Sequence, residues 1–149
     1  MKTIFDVLGL DRKYPDSTFI IDLTDENELR KTYRKLETEN KYLGVFSELT
    51  IYCFKGSNSK NFKLSCYSYE FNKYDLPDII EKVYSIYGKD DSGQGLYTRA
   101  DSEAIDNDLW TGRSWDAEKH PVACSINYSE EEGLSLTLWD ADGSLSQTE

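Results

Sequence analysis

The chain has 149 residues, an apolar share of 38% and a formal charge of −11, from 28 acidic against 17 basic side chains. That length suffices for one buried core and is thin for two, so a single domain over residues 1–149 is expected. The negative surplus repels phosphates and anionic headgroups, which speaks against direct nucleic-acid binding and against a membrane partner, while 11 Tyr, 6 Phe and 3 Trp supply enough buried area to argue against disorder.

Residues 4–10 form a short apolar segment that runs into the turn-prone stretch Asp11 to Ser17. The amino terminus starts like a secretory leader, but Asp6 interrupts it after two apolar residues, and no stretch approaches the roughly 18 apolar residues of a membrane span. A cytoplasmic location is expected, short of a removed leader. Phe19 to Leu23 reads as a first strand. Asp25 and Glu28 stand at capping-box spacing, and Leu29, Tyr33 and Leu36 recur at helical intervals, which predicts a helix over about residues 25–39. Its other face would carry Arg30, Lys31, Arg34 and Lys35 as solvated charge.

Leu49 to Lys55 and Phe62 to Phe71 are aromatic and β-branched runs joined by Gly56-Ser57-Asn58-Ser59, the chemistry of a hairpin. On the second run Phe62, Leu64 and Cys66 share one side, and Lys63, Ser65, Tyr67, Tyr69 and Phe71 the other, giving the sheet an aromatic face. Asp75 and Pro77 then open a second helix. Leu76, Ile79, Ile80, Val83, Ile86 and Tyr87 form its apolar stripe, and Gly88 ends it.

Lys89 to Gly95 reads as a flexible connector, and the charge changes there. Residues 1–89 hold 14 Lys plus Arg and 14 Asp plus Glu, a balance of zero; residues 90–149 hold 3 against 14, which is the whole −11. Leu96 to Thr98 reads as a short strand, and Asp101, Glu103, Asp106 and Asp108 follow, with Trp110 and Trp115 just beyond. Val122 to Tyr128 and Leu134 to Trp139 alternate around an acidic turn, Ser129 to Gly133, as a second hairpin, and the polar tail over residues 140–149 is expected to fray. The order of elements predicts an α+β single domain, a mostly antiparallel sheet with two helices packed on one face; a split βαβ arrangement is the alternative.

The residue types needed for catalysis are sparse. Cys53, Cys66 and Cys124 match no zinc or CxxC spacing and fall in apolar runs, where free buried thiols are expected, although Cys53 and Cys66 could face each other across the hairpin. His120 is the one histidine, and Pro121 after it holds it extended on a loop. No serine sits in a nucleophile elbow, and Gly93-Gln94-Gly95 lacks the rest of a phosphate loop. Asp140-Ala141-Asp142-Gly143 copies only a fragment of a calcium loop. No enzyme activity, cofactor or metal is expected; a carboxylate-based hydrolase is the weakest alternative.

The expectation left is binding. Trp110 and Trp115 at the surface among Asp101, Glu103, Asp106 and Asp108 would make an anchor ringed by negative charge, suited to a basic protein partner. In composition, not in motif, the chain resembles immunity proteins that neutralise cationic nuclease toxins and inhibitors that imitate the phosphate outline of DNA. The resemblance implies an inhibitor-like, non-enzymatic role. The alternative is an accessory module that self-associates through Tyr52, Tyr67, Tyr69 and Phe71 of the first hairpin.

Overall fold

Period-two alternation along two hairpins sets the architecture. A computed structural model describes residues 3–10, 12, 15–22, 27–36, 46–116, 118, 120–140 and 145. Among these lie the strands β1 (Ile20–Ile21), β2 (Arg30–Leu36), β3 (Phe46–Phe54), β4 (Lys63–Phe71), β5 (Arg113–Trp115), β6 (Val122–Ser129) and β7 (Gly133–Asp140). The helices are α1 (Ile4–Leu8), α2 (Leu76–Tyr87) and α3 (Arg99–Asp106). The strands form one sheet in the order β1-β2-β3-β4-β7-β6-β5, and every neighbouring pair is antiparallel. The fold is therefore α+β, mostly sheet, as expected.

Residues directly opposite each other in antiparallel strands share a face, so the register divides the sheet into two sides. One side carries the row Tyr33, Ile51, Tyr67, Leu138, Cys124 and Trp115, and the row Leu49, Tyr69, Leu136, Ile126 and Arg113. From Ile51 and Leu49 onward these side chains are buried. Phe5 of α1 meets Tyr67 edge-on with ring centroids 5.8 Å apart, and α2 turns Leu76, Ile79, Ile80 and Val83 into the same core. Each such side chain contributes about 1.5–3 kcal/mol on leaving water, offset largely by conformational entropy. Asp6, which interrupts the leader-like start, closes a capping box on Thr3, with the Thr3 N–H donating to Asp6 Oδ2 at 2.9 Å.

The structure departs from several expectations. Arg30–Leu36 is strand, not helix; residues 25, 26 and 37–39 of that predicted helix lie outside the described residues. Lys31 and Lys35 flank Tyr33 on the core side of β2, where their stems run inward and their ammonium groups sit over the rings of Phe62 (4.8 Å) and Phe19 (5.3 Å). Long cationic side chains thus occupy alternate positions that a binary pattern scores as polar.

The aromatic side of the first hairpin is the core, not a surface: Tyr67 and Tyr69 are 0% and 1% exposed and Phe71 is buried, which removes them as contacts for self-association. Ser65 has no partner on β3, where Tyr52 opposes Cys66 and Cys53 opposes Leu64. This bulge brings Leu64 to the same side as Tyr67, against simple alternation. Cys53 and Cys66 are consequently offset, and all three cysteines are free. Burial pushes the Cys53 and Cys66 thiols up to about 11 and about 12, which suits packing and not reactivity.

Leu96 to Thr98 forms no strand; Thr98 is the N-cap of α3. The segment Lys89 to Gly95 is a loop laced by hydrogen bonds. Asp90 accepts from the Ser92 and Gln94 N–H groups, and Asp91 reaches Ser114 Oγ and the Asp116 N–H on the far edge of β5. In the tail Leu145 is buried, and Ala141 to Ser144, with most of the calcium-loop fragment, lie outside the described residues. No helix of the described residues is long and apolar enough to cross a membrane.

Candidate functional site

The acidic segment folds as α3 because Thr98 and Asp101 stand three residues apart. The Asp101 carboxylate accepts from the Thr98 N–H at 2.9 Å and so tethers the first turn. The same carboxylate accepts from Trp110 Nε1 at 3.0 Å and from Arg113 Nη2 at 2.9 Å, with the acid and the arginine both buried. Arg113 Nη1 also donates to the Gly95 carbonyl. Burial alone would raise the Asp101 pKa, but the Trp110, Thr98 and Arg113 donors hold it below the ordinary carboxylate value. Asp101 is a structural node between α3, the following loop and β5.

Both tryptophans belong to that interior. Trp110 is 7% and Trp115 3% exposed, and Trp115 Nε1 donates to the Gly88 carbonyl at 3.0 Å, tying β5 to the end of α2. Trp110, Trp115 and Asp101 are thus placed beneath the surface, out of a partner's reach. The other three predicted residues are outside. Glu103 pairs with Arg99 at 3.1 Å, Asp106 lies 3.5 Å from Lys73 Nζ, and Asp108 accepts a hydrogen bond from the Tyr128 hydroxyl. Asp108 holds φ of 58°, a left-handed conformation that Asp and Asn tolerate.

Asp106 and Asp108 line one groove of about 430 Å³ whose apolar lining is Phe71, Ile105 and Leu134 and whose one cation is Lys73. Asp106, Lys73 and Ile105 also line an adjoining hollow of about 230 Å³ that reaches Tyr74 and Tyr97. Tyr74 is 81% and Leu109 72% exposed. Large apolar side chains therefore do stand at the surface beside the acids, but they are Tyr74 and Leu109, not the tryptophans. The signal that could have found Tyr74 is its place beside the helix start, one turn from the apolar stripe of α2.

A second concavity lies on the opposite side of the sheet. There the register sets Thr50, Ser68, Thr137 and Ser125 in one row across β3, β4, β7 and β6, and Glu48, Glu70, Ser135 and Asn127 in the next. An open groove of about 420 Å³ runs over them, bordered by Arg34, Tyr52 and the β6–β7 turn. Arg34 donates to Asp22 at 2.8 Å and Glu48 at 3.3 Å. Burial first, then the hydrogen bond and the charge of Glu48, raise the Glu70 pKa. Sequence reading missed these residues because hydroxyl side chains at alternate positions look like ordinary solvent-facing strand.

His120 stacks on Tyr87 with ring centroids 3.8 Å apart and an interplanar angle of 9°, while the Tyr87 hydroxyl donates to the Val122 carbonyl at 2.6 Å. Among the described residues no group of three or more His, Cys, Asp or Glu side chains is arranged to hold a metal ion. No protein family, curated protein or solved structure matches the chain.

Proposed function

We propose that this chain is a non-enzymatic protein-binding module that docks a basic protein on the face formed by α3, the start of α2 and the β6–β7 turn. The observation that carries this reading is the shared groove. Asp106 and Asp108, both from residues 90–149 that hold the entire net charge, flank an apolar floor; exposed Tyr74 lines the adjoining hollow, and exposed Leu109 follows Asp108 in the chain. Steering by that charge and burial of two anchors would divide the work between association rate and residence time.

Capture of cationic proteins by the immobilised chain, at low and at high ionic strength, tests the proposal. A specific partner is expected at low salt, retained by wild type and lost by the variant Asp106→Lys with Asp108→Asn. Asparagine at position 108 keeps the left-handed backbone tolerable. Capture that is indifferent to both salt and the variant would overturn the proposal.

A further inference from the structure

The groove on the open side of the sheet has a chemistry of its own. Its floor is built from small hydroxyl side chains, Thr50, Ser68 and Ser135, one strand after another, with the Asn127 amide at one end and the Tyr52 ring at the other. The Asn127 amide already donates to Ser125 Oγ at 3.0 Å and Thr137 Oγ1 at 3.3 Å, which fixes its orientation and leaves its carbonyl oxygen toward new donors. Ser68 and Ser135 flank Glu70 along β4 and across to β7, and among the described residues neither hydroxyl has a hydrogen-bond partner. Across β3, β4, β7 and β6 the row extends roughly 15 Å, given a strand spacing of about 4.8 Å.

The one cation among the groove's lining residues, Arg34, is already paired, and the remaining lining charges are carboxylates. Arg34 is shared between Asp22 and Glu48, and burial, then the neighbouring Glu48, raise the Glu70 pKa, so this carboxyl is the less firmly charged of the groove's acids. Glu131 and Glu132 stand at the rim, on the exposed turn. With the lining cation already engaged, an anionic ligand has no counter-charge here, and the hydroxyl floor instead suits an uncharged ligand that carries alternating donors and acceptors and offers an apolar face for Tyr52. A nucleotide would meet the rim carboxylates, and an apolar peptide would strand the hydroxyls without partners.

We propose that the open face of the sheet is a binding groove for a neutral oligosaccharide lying across β3, β4, β7 and β6, hydrogen-bonded by Ser68, Glu70, Ser135 and Asn127 and stacked on Tyr52. This groove lies over the other side of the sheet from the helices and meets the acidic docking groove only at the β6–β7 turn, where Tyr128 and Gly133 line both.

Titration of the nitrogen-labelled protein with maltotriose, cellotriose and chitotriose, followed by amide shifts, tests the site. At least one of these neutral sugars is expected to move Ser68, Glu70, Ser135 and Asn127 saturably at millimolar concentration, with shifts confined to that face. The double variant Ser68→Ala with Ser135→Ala, which keeps the strands and removes two hydroxyls, is expected to weaken that sugar about tenfold or more while its unfolding midpoint stays near wild type. Tyr52→Ala should weaken it as well. Absence of saturable shifts with all three sugars, shifts located on the helical side, or an affinity unchanged in both variants would each overturn the proposal. So would tighter binding of an arginine-rich peptide at the same amides, since that would make the groove a cation site.

Discussion

Asp101 and Glu70 lie on opposite sides of one sheet and show that burial alone does not decide a carboxylate's charge. Asp101 is buried, yet donors from Thr98, Trp110 and Arg113 hold its pKa below the ordinary value; Glu70 is only half-buried, yet burial, reinforced by the Glu48 carboxylate across the strand pair, raises its pKa because too few donors oppose it. The difference is the number of positive or donating groups aimed at the oxygens. On the helical side those donors are used to fix α3 and β5, so the acid belongs to the fold. On the open side the acid is left in surplus, the condition expected of a surface that meets a ligand.

The largest effect should come from taking the donors away from Asp101. Arg113→Met leaves a buried carboxylate with two partners and should cost about 3–5 kcal/mol in denaturant unfolding. A loss well under 1 kcal/mol would mean that the node is not holding β5. Next in size is Gly112→Ala. Gly112 has φ of 87°, and a Cβ there would lie 2.5 Å from the Ile126 carbonyl oxygen, so the β5 strand must shift at a cost of roughly 2 kcal/mol or more.

The pH dependence separates the two carboxylates. The folded pKa of Asp101 lies below its unfolded value, so its contribution is complete above about pH 3.8 and is lost as pH falls through the lower folded value. Asp101→Asn should therefore lower stability at neutral pH and flatten the acid limb of a stability-against-pH curve. Glu70 has the opposite sign, because its folded pKa is raised: the fold favours the protonated acid and loses stability as pH rises through that value. Glu70→Gln should raise neutral-pH stability by about 0.5 kcal/mol, the smallest change of the set, since the group is partly solvated and Arg34 offsets part of the repulsion. Destabilisation by Glu70→Gln would break the contrast.

The elements that were legible in the sequence are those whose signal is local. Both hairpins and α2 follow from alternation, a turn composition and a helix punctuated by Pro77 and Gly88. The strand β2 was not legible, because Leu29, Tyr33 and Leu36 imitate a helical stripe while the lysines that line its inner side depend on rings from distant segments. The cap of α3 was readable in principle from Thr98 and Asp101, three residues apart. The candidate site was legible by half. Charge asymmetry pointed to Asp106 and Asp108, which line the groove, and to Glu103, which pairs with Arg99 outside it, but the burial of Trp110 and Trp115 depends on partners 9 residues away at Asp101 and 27 away at Gly88, which no local pattern carries. The hydroxyl row of the open face exists only once four strands are placed in register.

In the proposed division of the acidic half, Asp101 serves the interior of the fold, and Asp106 and Asp108 serve a basic partner. Paired measurement of unfolding midpoint and low-salt capture for Asp101→Asn and for Asp106→Lys with Asp108→Asn tests that division most directly. The first variant should lose stability, and the second should keep its midpoint within a few degrees but lose the captured cationic protein. A second variant that still captures the same protein, with the same salt dependence as wild type, would contradict it.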